Sequence, residues 1–182
     1  MLETIGFLEL NSIAKGIEAA DAMLKAAEVR LITAKPSCPG KYNVLISGDV
    51  AAVQSSLDAG AAVGGANVVD TLVIPRVHPQ VIDAINMATL PERMNAVGIL
   101  EFFDVTASVM GADAAVKAAE ITLVEVRLGI GIGGKSFVVL TGDVAAVEAA
   151  VEAGAVAGTE RGMLVSKVVI PSPHPDLFDS LL

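Results

Sequence analysis

The sequence predicts an α/β (α+β) chain built as two tandem copies of one small domain, each ordered β-α-β-β-α-β. Three observations carry that expectation. Four blocks recur in order, a helix-spaced apolar stripe follows the first apolar strand run of each copy, and Gly- and Pro-rich turns fall at matching places. Ile5-Gly-Phe-Leu-Glu-Leu returns as Val97-Gly-Ile-Leu-Glu-Phe, and Asp21-Ala-Met-Leu-Lys-Ala-Ala-Glu as Asp113-Ala-Ala-Val-Lys-Ala-Ala-Glu. Ser47-Gly-Asp-Val-Ala-Ala-Val returns as Thr141-Gly-Asp-Val-Ala-Ala-Val, and Val73-Ile-Pro-Arg-Val-His-Pro as Val169-Ile-Pro-Ser-Pro-His-Pro. The spacing between matched blocks drifts only from 92 to 96 residues. Chance does not give four ordered matches of this quality, and the period is too long for a solenoid. The first domain is expected over residues 1–90 and the second over 96–182, with a linker near Thr89–Asn95 that contains Pro91.

Each element has its own reason. Ile5–Leu10 is an apolar strand. Ile13, Ile17, Ala20, Leu24 and Ala27 then recur at the spacing of one helix face, as do Val105, Val109, Ala112, Val116 and Ala119. A strand from about Val29 to Ala34 leads into a Gly/Pro loop, and Tyr42–Ile46 forms the next strand. Asp49 is placed to cap a second helix running to about Gly60, its carboxylate accepting free backbone N–H groups. Val68–Ile74 closes the copy as a fourth strand, stopped by Pro75. The order is the split βαβ, ferredoxin-like-related arrangement, with one sheet carrying two helices. A copy of about 90 residues buries a modest core, so subunit packing is expected to supply the rest.

Composition narrows the function. Hydrophobic residues make up 53% of the 182 residues but aromatics only 3%, so the apolar mass is small aliphatic side chains that suit flat surfaces. Charged residues are 18%, which predicts that part of the surface is hidden against other subunits. A net charge of −9 argues against nucleic acid and against anionic membranes. The opening Met1-Leu-Glu-Thr lacks a basic region followed by an apolar core, and no apolar run spans a bilayer. A soluble, cytosolic protein is expected. A single cysteine, Cys38, excludes an internal disulfide framework and fits a reducing compartment.

The Asp-Ala-Met-Leu-Lys-Ala-Ala run, the Ser-Gly-Asp-Val-Ala-Ala-Val block and the Ile-Pro-Arg-x-His turn resemble the bacterial microcompartment shell domain. The resemblance covers nearly the whole chain, twice, in unpermuted order. It implies a flat shell tile: a homotrimer of tandem domains imitating a hexamer, joined edge to edge to other shell proteins, with a central pore for metabolites. The loop Lys35-Pro-Ser-Cys-Pro-Gly-Lys41 is closer still to tandem members of propanediol-utilisation shells that carry an iron–sulfur cluster at that pore. The resemblance implies that three Cys38 thiolates hold one [4Fe–4S] cluster on the trimer axis. It further implies electron transfer across the shell, or delivery of cluster components, and an encapsulated or cytosolic redox enzyme as a partner. A cubane cluster has threefold symmetry about a body diagonal, so three related thiolates can ligate three irons. Pro36 and Pro39 would stiffen the loop, and Lys35 and Lys41 would offset thiolate charge. By the same resemblance Ser37, Pro39 and Gly40 line the pore with Ile130, Gly131, Ile132, Gly133 and Gly134 of the second copy, and Lys25, Lys117 and Arg76 lie on tile edges. The second copy departs with Ser172 in place of the arginine, and Glu28 and Glu120 stand where many relatives carry Asn.

Each of these residues also has a plainer reading. A lone cysteine is commonly an inert buried hydrophobe, which would leave a tile with a metabolite-conducting pore and no metal. Gly129-Ile-Gly-Ile-Gly-Gly-Lys-Ser136 satisfies a phosphate-binding loop pattern, which would make the chain a nucleotide-binding enzyme or regulator. That loop must enter a helix, whereas Phe137-Val-Val-Leu-Thr reads as a strand. Lys25 and Lys117 follow Asp21 and Asp113 by four residues, the spacing of a surface ion pair. His78 and His174 read as turn residues starting a terminal helix rather than as ligands. Glu9 and Glu101 lack a nucleophile or second acid in any known spacing, so no catalysis is assigned.

Overall fold

A computed structural model describes residues 3–87, 89, 91, 95–129, 131–160 and 163–177. The chain divides into two compact units, Met1–Val77 and His78–Leu182. The first contains β1 (Glu3–Leu10), α1 (Ile13–Ala26), β2 (Arg30–Ser37), β3 (Lys41–Gly48), α2 (Val50–Gly64) and β4 (Val68–Val77). The second contains α3 (Pro79–Ile85), β5 (Ala96–Phe102), α4 (Val105–Ala118), β6 (Thr122–Arg127), β7 (Ser136–Gly142), α5 (Val144–Glu160) and β8 (Leu164–Ile170). Each unit has a four-stranded antiparallel sheet, ordered β2-β3-β1-β4 and β6-β7-β5-β8. The expected β-α-β-β-α-β order therefore holds twice. The helix α3, which follows the first copy in sequence, packs against β6 and α4 of the second unit.

The central strands are buried because both their neighbours and the helices cover them. Leu8 and Leu10 of β1, Val44 and Ile46 of β3, Met23 of α1 and Val53 and Leu57 of α2 form the core of the first unit. Helices reach the sheet closely at glycine: a Cβ on Gly6 would lie 2.6 Å from Val53, and one on Gly98 the same distance from Val151.

Three details differ from the sequence reading. The buried side of α1 is Gly16, Ala19, Ala20 and Met23, while Ile13, Ile17 and Leu24 are exposed; only in α4 is the expected face, with Val105, Val109, Ala112 and Val116, buried. Small residues let α1 approach its neighbours, so the bulky aliphatic stripe is turned outward. Pro75 does not stop β4. The ladder pairs Ile5 with Ile74 and Glu3 with Val77, so Pro75 and Arg76 sit in a bulge, and Arg76 takes a φ of 55°. This strand is at the sheet edge, where a missing N–H is tolerated. Asp49 occupies the N-cap of α2, yet its side chain makes no capping hydrogen bond. Side-chain caps are made instead by Ser12 on α1, His78 on α3 and Asp104 on α4, the last accepting from the Ala107 N–H at 2.6 Å.

Candidate functional site

The hairpin between β2 and β3 runs further than the loop expected from Pro36. Lys35, Pro36 and Ser37 belong to β2, and Ser37 pairs with Lys41. The turn is thus only Cys38, Pro39 and Gly40. A three-residue hairpin turn needs a left-handed residue, and Gly40 supplies it with φ 77°. Pro39 and Gly40 are exposed and the free thiol of Cys38 is half-buried. Ser37, expected on the pore surface, is buried at the end of the strand.

The corresponding loop of the second unit is built differently. Its ladder ends at Arg127–Phe137, leaving a longer connection. Gly129, Gly131, Gly133 and Gly134 all have positive φ, from 67° to 85°, which explains why glycine fills those positions. Gly131 and Gly133 are exposed, and Ile132 and Gly134 are half-buried; Ile130 lies outside the described residues. The Lys–Ser end of the phosphate-loop pattern enters β7, a strand. Lys135 pairs with Glu101 at 2.9 Å, and the Ser136 hydroxyl donates to the Asp104 carbonyl. Both side chains a phosphate would need are committed elsewhere, and no helix N-terminus follows.

Below the two loops one feature is shared. Lys41 Nζ lies 3.1 Å from Glu9 Oε1, as Lys135 lies 2.9 Å from Glu101. The lysine that leaves each loop folds onto the glutamate of the adjacent central strand. Sequence reasoning considered these glutamates without finding their partners, although both residues recur in both copies. Lys41 is therefore matched to a carboxylate rather than a spare cation beside Cys38, while Lys35 is exposed on β2 before the turn.

The remaining residues lie on other elements. Lys25 pairs with Asp21 at 2.6 Å and Lys117 with Asp113 at 2.5 Å, both i,i+4 on their helices. Arg76 is exposed in the β4 bulge. His78 Nδ1 accepts the Gln80 N–H at 3.4 Å, and His174 Nδ1 that of Asp176 at 3.2 Å, so both histidines act as helix-starting turn residues. Among the described residues no three His, Cys, Asp or Glu side chains come together to hold a metal ion. One chain thus offers a single thiol, a donor set that fits a cluster only when copies of the chain share it. Among the described residues no helix is long and apolar enough to cross a membrane.

The comparisons agree with this architecture. The BMC domain model matches residues 4–77 and again 96–173. Bacterial microcompartment shell protein PduT of Citrobacter freundii is 44% identical over 182 residues, covering 100% of this chain and 99% of that protein. Bacterial microcompartment shell protein EutM of Escherichia coli K12 is 48% identical over 79 residues, which are 42% of this chain but 81% of EutM. The crystal structure of a microcompartment protein from Desulfitobacterium hafniense superposes with a TM-score of 0.93 at 59% identity, covering 97% of this chain and 98% of that one. Two matches to one domain model, each on its own four-stranded sheet, make this chain a tandem member of the BMC-domain family of bacterial microcompartment shell proteins.

Proposed function

We propose that this shell protein works as a homotrimeric, pseudo-hexameric tile whose three Cys38 thiolates together hold one [4Fe–4S] cluster. The observation that carries the reading is the position of Cys38: the only thiol of the chain stands half-buried in a three-residue turn. A structural thiol of the inert kind belongs inside a core, whereas this one is presented at an apex that three copies can bring to a common axis. Similarity to PduT supports the same reading. Bound there, the cluster would supply one-electron transfer, which suits a relay across the shell to a redox enzyme. The chain's own part is to hold the sulfur on a short turn closed by the Ser37–Lys41 pair, and to do no catalysis itself. Lys25, Lys117 and Arg76, all on the surface, are proposed as tile-edge contacts to other shell proteins.

Anaerobic reconstitution with iron and sulfide tests this directly. The expected result is four irons per trimer and the broad visible absorbance of a cubane cluster. Cys38→Ser should give a colourless trimer of unchanged mass. Wild-type protein that stays free of iron under these conditions would leave a plain tile with a glycine-lined metabolite pore.

A further inference from the structure

Beside the Cys38 turn stands a hydroxyl that neither the fold nor the ion pairs use. Among the described residues the buried side-chain atoms without a hydrogen-bond partner are Ser37 Oγ, Asn43 Oδ1, Ser47 Oγ, Ser56 Oγ and Thr106 Oγ1. A buried polar group left unpaired is costly, and in a native chain each one calls for a reason. Ser56 and Thr106 belong to α2 and α4, and Ser47 lies at the end of β3 opposite to the turn. Asn43 Oδ1 can only accept a hydrogen bond. Ser37 alone brings an unused donor to the turn: it is 7% exposed, and the next residue in the chain is the one thiol.

The frame does not require that hydroxyl. Ser37 closes the hairpin through its backbone, opposite Lys41 and two residues beyond the Lys35–Asn43 pair. In the second unit the ladder has already ended at the matching pair, Arg127–Phe137, and two residues beyond Arg127 stands Gly129. Serine and thiol thus occur together in one copy and are missing together from the other. The turn is also poor in other donors. Backbone N–H groups are the donors nearest any cysteine, and Pro36 and Pro39 supply none. The Lys41 ammonium is held by Glu9.

We propose that Ser37 is the hydrogen-bond donor of the Cys38 centre: its hydroxyl donates to a sulfur there and raises the reduction potential of the centre. The inference rests on the shared-cluster reading given above and adds to it the group that sets the potential. A hydroxyl without a partner gives up nothing when it turns about χ1 to another staggered position, so the bond to sulfur is a net gain rather than an exchange. Hydrogen bonds to the sulfurs are one of the terms that fix the potential of an iron–sulfur centre. A donor favours the more negative, reduced state over the oxidised one, so its removal lowers the potential. The strand end that carries the donor is fixed by the Ser37–Lys41 pair and by Lys41 on Glu9.

The test compares full-length wild type with Ser37→Ala, Ser37→Thr and Ser56→Ala. Each is reconstituted anaerobically with iron and sulfide, its iron counted and its potential titrated, and the iron-free form of each is followed by amide hydrogen exchange. Ser56, 0% exposed and likewise unpartnered, controls for the loss of a buried hydroxyl as such. Ser37→Ala should keep its iron and shift the reduction equilibrium at least about tenfold toward the oxidised form, which is about 59 mV for one electron. Ser37→Thr and Ser56→Ala should titrate with the wild type. Iron-free Ser37→Ala should protect its first-unit amides at least as well as the wild type, since no bond within the fold is lost. Equal potentials in wild type and Ser37→Ala would overturn the donor and leave the cluster standing. Weaker first-unit protection in the iron-free variant would overturn it too, because the hydroxyl would then already be bonded within the fold. Iron lost from Ser37→Ala but kept by Ser37→Thr supports the donor, and iron lost from both overturns it. Wild-type protein that takes up no iron removes the cluster and the donor together.

Discussion

The Cys38–Gly40 turn and the loop of residues 128–135 join the same two strands of the same motif and end at the same lysine–glutamate pair. Between those fixed ends almost nothing is shared. One connection is three residues of Cys, Pro and Gly; the other is longer, built on left-handed glycines, and has no sulfur. Strand register and helix contact are set by packing in which one added methylene is felt, so the ladders are copied closely. Turns touch little of the core and are free to diverge. The contrast teaches that the duplication preserves a frame, and that any difference in chemistry between the two halves must be sought at the connections and the outer faces.

The frame has its own unequal places, and substitutions in matched pairs measure them. The largest difference is expected at the lysines. Glu9 is 3% exposed beneath Lys41, whereas Glu101 is 35% exposed beneath Lys135. Lys41→Met should destabilise the first unit by about 3 kcal/mol, and Lys135→Met the second by less than about 1 kcal/mol. Amide hydrogen exchange, read on peptides from each unit, separates the two; equal losses would show that the pairs are equivalent after all.

Next come the matched glycines of α2 and α5. A Cβ at Gly154 would sit 2.8 Å from the Gly111 carbonyl and 2.5 Å from Leu100, while one at Gly60 meets the flexible Met23 side chain at 2.5 Å. Backbone cannot give way as a methionine can. Gly154→Ala should cost about 3 kcal/mol and Gly60→Ala about 1 kcal/mol by the same exchange measurement.

The smallest effect is a pH dependence confined to one half. Arg30 hydrogen-bonds Glu3 at 2.7 Å and holds its carboxyl below its ordinary 4.5. A carboxylate depressed on folding adds stability that is present above pH 4.5 and is lost as pH falls through the lower folded value. Thr122 and Asn95 occupy the matching places of the second unit and have no such pair to lose. Glu3→Gln should flatten the acid limb of first-unit stability and leave that of the second unit unchanged.

Much of this frame was legible in the residues. The repeat gave both element orders, and Pro and Gly located both loops. Three readings failed for physical reasons. The spacing of Ile13, Ile17 and Leu24 marks an apolar helix face, but periodicity does not say which face meets its own sheet. Gly16, Ala19 and Ala20 carry little hydrophobic signal and yet make the close contact. Pro75 breaks a strand only where its missing N–H is needed, and an edge strand does not need it. Asp49 has the right residue type for a cap, but the α2 N-terminus takes only its backbone. At the site, Cys38 announced itself by its neighbours, whereas the pairing of Lys41 with Glu9 depends on a fold that brings positions 32 residues apart together.

Joining the two copies in one polypeptide has a consequence for stoichiometry. Separate single-domain subunits would mix thiol-bearing and glycine-looped forms in whatever ratio the cell happened to make them. Here each translated molecule delivers one of each, so anything built from this chain holds the two loops in a strict one-to-one ratio, with no sorting step and no dependence on expression level.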